Sequence, residues 1–275
     1  MTSRHEILHR LKSLGDIANI MSSMKNLSVL EAKKLSHFQT TQARILQSYE
    51  DAAESFLAWY PLLKKFDGLH QTLILLLGSE HGFCSDYNDA LLRAWNEYAD
   101  NHPVVTTWAI GRKLCDQIPS NVQISPMQGP SVAEEIPTTL SRISEHLSRQ
   151  LGITNLVVIS HQPNTTDVQI KSILPPFMDS PPLPAHTGYP PHLNLEPEIF
   201  FQKMVENYMI AVLHGLFFDA LLAEHRRRVQ HLEGALERID EKREQFLSRS
   251  NELRQWEITE EIEIIMLSAE DAIRY

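Results

Sequence analysis

The residues best suited to catalysis or ligand binding lie in one loop, residues 78–84 (GSEHGFC). Cys84 and His81 are the residue types that form a thiolate nucleophile and its base, and a glycine-containing loop after a strand can hold a phosphate. However, the loop has neither the G-x-G-x-x-G nor the G-x-x-x-x-G-K-[ST] spacing, and no further catalytic partner for Cys84 can be assigned. We expect a structural turn here, with a nucleophilic Cys84 as the alternative.

Metal and cofactor binding are not indicated. The thirteen histidines are scattered, and none forms H-E-x-x-H or a similar ligand spacing. Cys84 and Cys115 form neither a metal motif nor a disulfide framework, which is typical of a reducing compartment. We therefore predict no catalytic, cofactor-binding or metal-binding residue in this chain.

Two charged clusters near the C-terminus each allow two interpretations. Residues 225–228 (HRRR) are either a solvated helix face or a contact for an acidic partner surface. The acidic run Glu257, Glu260, Glu261 and Glu263 interleaves with isoleucines. It is either a solvated face or part of a helix end that apolar surfaces of other chains enclose.

The totals narrow the class of protein. The chain has 275 residues, with 35 acidic against 25 basic side chains and a formal charge of −10, which disfavours a nucleic-acid binder. Residues 1–12 lack the apolar core of a secretory signal, and the longest uninterrupted apolar run, residues 73–77, is too short to span a bilayer. Any role at a membrane is expected to depend on other subunits.

Two long helices are predicted at the chain ends. Residues 3–60 show helical spacing, with Ser3 as N-cap, Glu6 completing a capping box and Pro61 after the end. The apolar positions of this helix are Ile7, Leu11, Leu14, Ile17, Met21, Met24, Leu27 and Leu30. The second helix opens at Pro197 and Glu198 and is strongly apolar from residue 200 to 222, a part expected to pack on the middle of the chain.

The second helix then narrows to a coiled-coil stripe. Its seam positions are Val229, Leu232, Leu236, Ile239, Phe246 and Leu253. A narrow apolar seam on a long charged helix needs a partner helix, because it cannot form a core alone. The two chain ends are therefore predicted to form a long antiparallel coiled coil.

The middle of the chain predicts an α/β domain. Strands are expected at residues 73–77, 104–110, 122–124, 156–160 and 167–174, and helices at 88–98, 113–118 and 132–151. This alternation favours a largely parallel, Rossmann-like sheet. Residues 175–197 are proline-rich and read as a linker. The predicted domains are residues 1–62 (coiled-coil helix), 68–192 (α/β domain with the linker at its end) and 196–275 (coiled-coil helix).

Several stretches of the chain resemble the gamma subunit family of F-type ATP synthases. The stretch from residue 6 to residue 34, which includes residues 20–28 (IMSSMKNLS), is similar to the family's K-I-T-K-A-M-x-M-V-A-x-x-K-x-x-K. Residues 79–88 (SEHGFCSDYN) are similar to S-D-R-G-L-C-G-G-x-N. Residues 110–113 (IGRK) fit I-G-x-K, and residues 254–262 (RQWEITEEI) fit R-Q-A-x-I-T-x-E-[LI], with residues 224–228 preceding them. The matches run in the same order over nearly the whole chain.

The resemblance implies a rotor stalk without bond chemistry of its own. It implies a subunit of the F1 or CF(1) part of a hydrogen ion transport ATP synthase. In that part, the terminal helices would turn inside a ring of alpha and beta subunits. The α/β domain would stand on the membrane c ring beside the epsilon subunit. The resemblance places Met24, Lys25, Arg254, Gln255, Thr259, Glu260 and Glu261 at the alpha/beta ring, and Glu196 and Glu198 near the c ring and epsilon. The implied location is peripheral, on the cytoplasmic face of a bacterial or archaeal plasma membrane, with no cofactor and no nucleic acid.

Departures from the family pattern keep other hypotheses open. Asn19, Ser22 and Ser23 stand where basic or small residues are usual, and Ser85 and Asp86 replace two glycines. These changes suggest a divergent branch, such as an alternate ATPase in which the coupling ion is sodium. A coiled-coil scaffold or adaptor derived from the family, and a free-standing α/β enzyme with helical arms, are the alternative functions.

Overall fold

The computed structural model describes residues 4–60, 71–102, 105–119, 124–149, 153–165, 167–177, 190 and 192–273. The chain divides into two compact units. We call Met1–Leu27 with Val229–Tyr275 the helical unit, and Ser28–Arg228 the sheet unit. The sequence-predicted domain boundaries follow continuous segments of chain instead, and they stay a prediction.

The described secondary structure comprises five α-helices, five strands and one short 3₁₀ helix. The α-helices are α1 (Arg4–Trp59), α2 (Tyr87–Asn101), α3 (Arg112–Cys115), α4 (Ile136–Arg149) and α5 (Pro197–Ile273). The strands are β1 (Gln71–Leu77), β2 (Val105–Ile110), β3 (Ile124–Met127), β4 (Ile153–His161) and β5 (Val168–Leu174), and the 3₁₀ helix is Ala133–Glu135. The predicted N-cap Ser3 and most of the proline-rich linker lie outside the described residues.

In the helical unit, α1 and α5 run antiparallel. Arg4 lies 3.4 Å from Glu257, and Lys25 lies 3.7 Å from Glu233, so residue numbers rise along one helix as they fall along the other. Ile7, Met21 and Leu232 are buried between the helices, which agrees with heptad packing. The predicted antiparallel coiled coil is confirmed.

Some apolar positions predicted for the buried face of α1 are exposed. Ile17 and Leu27 are exposed in the helical unit, and Leu30 is exposed in the sheet unit, so these three residues are not seam positions. Two apolar stripes lie on α1, and both have the three-to-four spacing of a helix. Spacing alone therefore could not separate the buried stripe from the exposed one.

The sheet unit contains a five-stranded sheet with the order β3-β2-β1-β4-β5. β1, β2, β3 and β4 are parallel, and β5 pairs antiparallel with β4. Residues 73–77 of β1 are all buried, because helices cover both faces of the central strands. The predicted α/β class with a Rossmann-like sheet is confirmed.

The N-terminal part of α5 belongs to the core of the sheet unit. Phe201, Met204 and Phe217 lie in the same apolar cluster as Leu75 and Trp108 of the sheet. Residues 28–59 of α1 pack on this segment in antiparallel order. The ring of Phe38 lies 5.4 Å from that of Phe218, and the ring of Phe56 lies 5.0 Å from that of Phe200.

Most element boundaries differ from the prediction by a few residues, and three of the differences have a local explanation. The helix expected at residues 113–118 ends at Cys115, and Gln117 and Ile118 then donate hydrogen bonds to residues three back, as in a tighter turn. The third strand is Ile124–Met127, which includes Pro126, and an edge strand tolerates proline. The helix expected from residue 132 opens with the 3₁₀ turn Ala133–Glu135.

Candidate functional site

An exposed apolar stripe on α1 surrounds one predicted contact residue in the helical unit. Ile20 and Leu27 are 62% and 61% exposed, Ile17 is also exposed, and Met24 lies between them half-buried. Neighbouring Lys25 is half-buried and faces Glu233. Large apolar side chains that stay exposed in a row along one helix indicate a surface for another chain.

The end of α5 forms a second such surface. Every residue from Arg254 to Met266 is exposed, although the stretch includes Trp256, Ile262 and Ile264. The predicted contact residues Arg254, Gln255, Thr259, Glu260 and Glu261 all lie in this stretch. The hydroxyl of Thr259 donates to the carbonyl of Gln255 over 2.9 Å, so it is satisfied within the helix. The structure places these residues on one accessible helix.

A groove of about 460 Å³ lies in the same unit between the two helices. Ile7, Phe246 and Leu253 form its apolar wall, and Arg10 and Trp256 also line it. The groove extends the apolar surface from α5 to α1. It offers apolar contact with a few charges rather than convergent catalytic groups.

The other predicted contact residues lie at the beginning of α5 in the sheet unit. Glu196 and Glu198 flank Pro197 and are exposed. The Glu196 carbonyl accepts a hydrogen bond from the Phe200 amide over 2.9 Å, so Glu196 closes the first helical turn. Acidic side chains at this position also suit the helix dipole.

The crevice where doubly wound sheets bind ligands is occupied by α5. In this fold, ligands bind beyond the carboxyl ends of the strands where the strand order reverses, here between β1 and β4. Glu224 of α5 accepts the backbone N–H groups of Glu80 and His81, both over 3.4 Å, in the loop after β1. Arg228 donates to the carbonyl of Gly82 over 3.1 Å and forms an ion pair with Glu224. The chain therefore fills its own crevice.

The solvated-face interpretation of residues 225–228 was wrong for His225 and Arg228. Glu224 and Arg228 are each only 3% exposed, and His225 is also buried. Arg226 and Arg227 are half-buried. Charged residues on a helix usually face water, but here the Glu224 carboxylate lies one turn before Arg228 and pairs with it. The i, i+4 spacing predicts such a pair, but exposed pairs such as Glu145–Arg149 share it, so the sequence did not indicate burial.

Burial governs the titration of this cluster. Burial raises the pKa of Glu224, although Arg228 and the two backbone N–H groups offset part of the effect. Burial, with a smaller effect from the positive charge of Arg228, lowers the pKa of His225 to about 4. His225 is therefore neutral at physiological pH.

Cys84 has the properties of a buried core thiol. Burial, with a smaller effect from the Glu224 carboxylate, raises its pKa to about 12. Its Sγ lies 3.5 Å from the Gly82 carbonyl and 3.6 Å from the His81 carbonyl, and these contacts involve backbone oxygens. A nucleophilic cysteine needs a lowered pKa, so the geometry supports the structural turn rather than the enzyme alternative.

Glu80, which the sequence did not single out, joins the loops after three strands. Its carboxylate is buried and accepts the backbone N–H groups of Arg112 and Gly129, both over 2.9 Å. The Arg112 guanidinium lies 3.4 Å from the other carboxylate oxygen. Gly111 permits this approach, because its φ is +118° and a Cβ there would lie 2.6 Å from the Gly78 carbonyl oxygen. An internal carboxylate thus satisfies these amides.

The described residues contain one long apolar helical stretch and no metal-binding cluster. No group of three or more His, Cys, Asp or Glu side chains in that part of the chain is placed to hold a metal ion. One stretch within Pro197–Met266 is long and apolar enough to cross a membrane by length and composition, and 56% of it is buried inside the protein. A buried core helix meets the same criterion, and residues 200–222 lie largely in the core of the sheet unit.

Comparison with known proteins gives the family. The model of a family described as ATP synthase matches residues 3–271. The chain belongs to the ATP synthase family. Among curated ATP synthase family members, the gamma chain of Streptococcus mutans is 24% identical over 287 residues, covering 97% of this chain and 98% of that one. The gamma chain of Clostridium perfringens is 24% identical over 283 residues, covering 96% of each.

Solved ATP synthase structures share the fold. A rotor chain of the Euglena gracilis mitochondrial enzyme has a TM-score of 0.60 at 12% identity, covering 93% of this chain and 98% of that one. A chain from the central stalk and c ring of the Tetrahymena thermophila enzyme has a TM-score of 0.56 at 15% identity, covering 78% and 99%. The chain therefore shares its fold with these two ATP synthase chains.

Proposed function

We propose that this member of the ATP synthase family is the central stalk, or gamma, subunit of a rotary ATP synthase. It transmits torque between a membrane c ring and a ring of three alpha and three beta subunits. Full-length similarity to gamma chains supports this function, as does the shared architecture of rotor chains. The chain performs no bond chemistry, and nucleotide turnover occurs in the ring.

The exposed end of α5 is the observation that carries the proposal. Residues 254–266 are exposed, yet they include Trp256, Ile262 and Ile264. Exposed apolar side chains such as these gain free energy when another surface covers them. A sleeve formed by the surrounding ring would supply that surface.

The predicted contact residues divide between two partner sets. Met24, Lys25, Arg254, Gln255, Thr259, Glu260 and Glu261 face the alpha/beta ring, and Glu196 and Glu198 face the c ring and the epsilon subunit. The first set lies in the helical unit and the second at the start of α5 in the sheet unit. Exposure of the α5 residues and of the two glutamates supports these assignments.

The location follows from the proposed partners. The chain is held peripherally at the cytoplasmic face of a plasma membrane through the c ring. The coupling ion, a proton or sodium, is selected in that ring.

The proposal is tested by placing charge on the apolar face of the α5 end. The variant Ile258→Asp/Ile262→Asp is expressed with the alpha and beta subunits of the same genome. We expect wild-type chain to copurify with both and to support ATP hydrolysis, and we expect the variant to lose most of this association. Glu241→Ala/Glu244→Ala, at exposed positions of the same helix, is the matched control and should associate normally. A wild-type chain that binds neither subunit would instead indicate a coiled-coil adaptor that is not part of an ATP synthase.

A further inference from the structure

Three consecutive arginines of α5 fasten this helix to two loops of the sheet unit. Arg226 donates to the Pro163 carbonyl over 2.6 Å and to the Asn164 side chain, both in the loop after β4. Arg227 lies 3.4 Å from Asp86, and Arg228 bonds the Gly82 carbonyl, both in the loop after β1. These two loops follow the adjacent central strands of the sheet.

The three side chains leave the helix in different directions. Successive residues of an α-helix are separated by about 100° around its axis. Arg226 and Arg228 therefore point about 200° apart, and they reach loops on opposite flanks of α5. A rotation of α5 about its own axis, in either sense, would stretch the contacts on one of the two flanks.

Apolar packing cannot resist such a rotation in the same way. Residues 200–222 of α5 pack on the sheet unit through side chains such as Phe201, Met204 and Phe217. The hydrophobic driving force is non-directional, so these contacts resist rotation only through the steric interlocking of their side chains. Hydrogen bonds weaken steeply when their angles change, so they oppose rotation directly.

We propose that residues 226–228 form a torque clamp, which locks α5 rotationally to the sheet and passes the turning force of the sheet unit into this helix. The inference rests on the proposed function, since only a rotating stalk carries torque. It assigns a mechanical role to an arginine run that sequence reasoning assigned to solvent or to a partner. Arg226 and Arg227 are positioning residues in this role. The buried pair Glu224–Arg228 anchors the loop after β1.

The test uses the assembled complex in membrane vesicles and the double variant Arg226→Gln/Arg227→Gln. This variant removes the half-buried arginines and leaves the buried Glu224–Arg228 pair intact. Ion pumping per ATP hydrolysed is measured at zero gradient and against an opposing ion gradient. We expect ATP hydrolysis to be retained and pumping to be lost under load, because the helix slips. When Arg227→Gln is kept, Arg226→Lys in place of Arg226→Gln should restore part of the pumping.

Two further variants separate the clamp from a general loss of structure. Asp86→Ala/Asn164→Ala removes side-chain partners of the same arginines from the loop side and should give the same load-dependent loss. Arg243→Gln, whose ion pair with Asp240 lies within one helix, should leave the coupling ratio unchanged. The inference fails if both clamp variants pump in constant proportion to hydrolysis at every load. A wild-type chain that never assembles would overturn the proposed function instead.

Discussion

Arg4, the first residue of α1, lies 3.4 Å from Glu257 of α5. Because α5 continues to Ile273, residues 258–273 extend past the described beginning of α1. The side chains of this extension that the structure describes, residues 258–266, are all exposed. The ion pair therefore marks the position from which α5 depends on surfaces outside this chain.

Removing that extension is expected to weaken assembly with the ring and to leave the folding of the chain nearly unchanged. A chain that ends at Glu257 loses the exposed Ile258, Ile262 and Ile264 but no core residue of the sheet unit. We expect the free energy of unfolding to change by less than about 0.5 kcal/mol, as for other exposed positions. Binding to the alpha/beta ring should fall strongly. Urea unfolding and ring pull-down measure the two effects, and an equal loss in both would contradict the account.

Breaking the buried ion pair of α5 is expected to be costly. Arg228→Met leaves the Glu224 carboxylate buried without its partner, which typically costs about 3–5 kcal/mol. Glu224→Gln/Arg228→Met removes both charges and should recover much of that loss. Chemical unfolding of the wild-type, single and double variants measures the coupling. A double variant that is less stable than the single one would mean that the pair does not act as a unit.

His225 is expected to make stability depend on pH. Its pKa falls from 6.5 in the unfolded chain to about 4 in the folded chain, so between these values the unfolded state binds the proton more readily. Stability is therefore fully present above pH 6.5 and is lost as the pH falls towards 4, by about 3 kcal/mol at most. His225→Gln should flatten this part of the unfolding profile measured between pH 4 and 7.5.

The exposed histidine His192 provides the control for this effect. His192→Gln measures what the same substitution does at an exposed position. If His225→Gln keeps the wild-type slope, another group causes the acid sensitivity and the role assigned to His225 is wrong.

Ser85 is expected to carry backbone strain. Its φ is +54°, in the left-handed region that costs a residue with a side chain about 1–2 kcal/mol. Ser85→Gly relieves this strain but adds freedom to the unfolded chain, which costs about 0.5–1 kcal/mol. We expect a net gain in unfolding free energy of about 0.5 kcal/mol by thermal or urea unfolding. Ser141→Gly within α4 should instead destabilise the protein.

Much of the fold could be predicted from the sequence, because the patterns that indicate it lie within short segments of the chain. The apolar run at residues 73–77 predicts a strand buried on both faces, and β1 has that environment. The seam through Leu232 predicts a paired helix, and Leu232 is fully buried. Both patterns have one dominant physical explanation, so tertiary context had little to add.

The parts that sequence reasoning missed depend on contacts between distant residues. Arg228 meets the Gly82 carbonyl across 146 positions of chain, and a local charge pattern cannot reveal such a partner. Glu80 is likewise explained only by the amides of Arg112 and Gly129. On α1, Ile17 and Met21 share one spacing rule, and only the position of α5 decides which is buried.

The central claim is tested most directly by native mass spectrometry of the complex purified through a tag on this chain. The account predicts one copy of the chain with three alpha and three beta subunits, and loss of that species when residues 258–275 are removed. A mass that corresponds to the chain alone, or to a dimer of it, in the presence of both subunits would contradict the account.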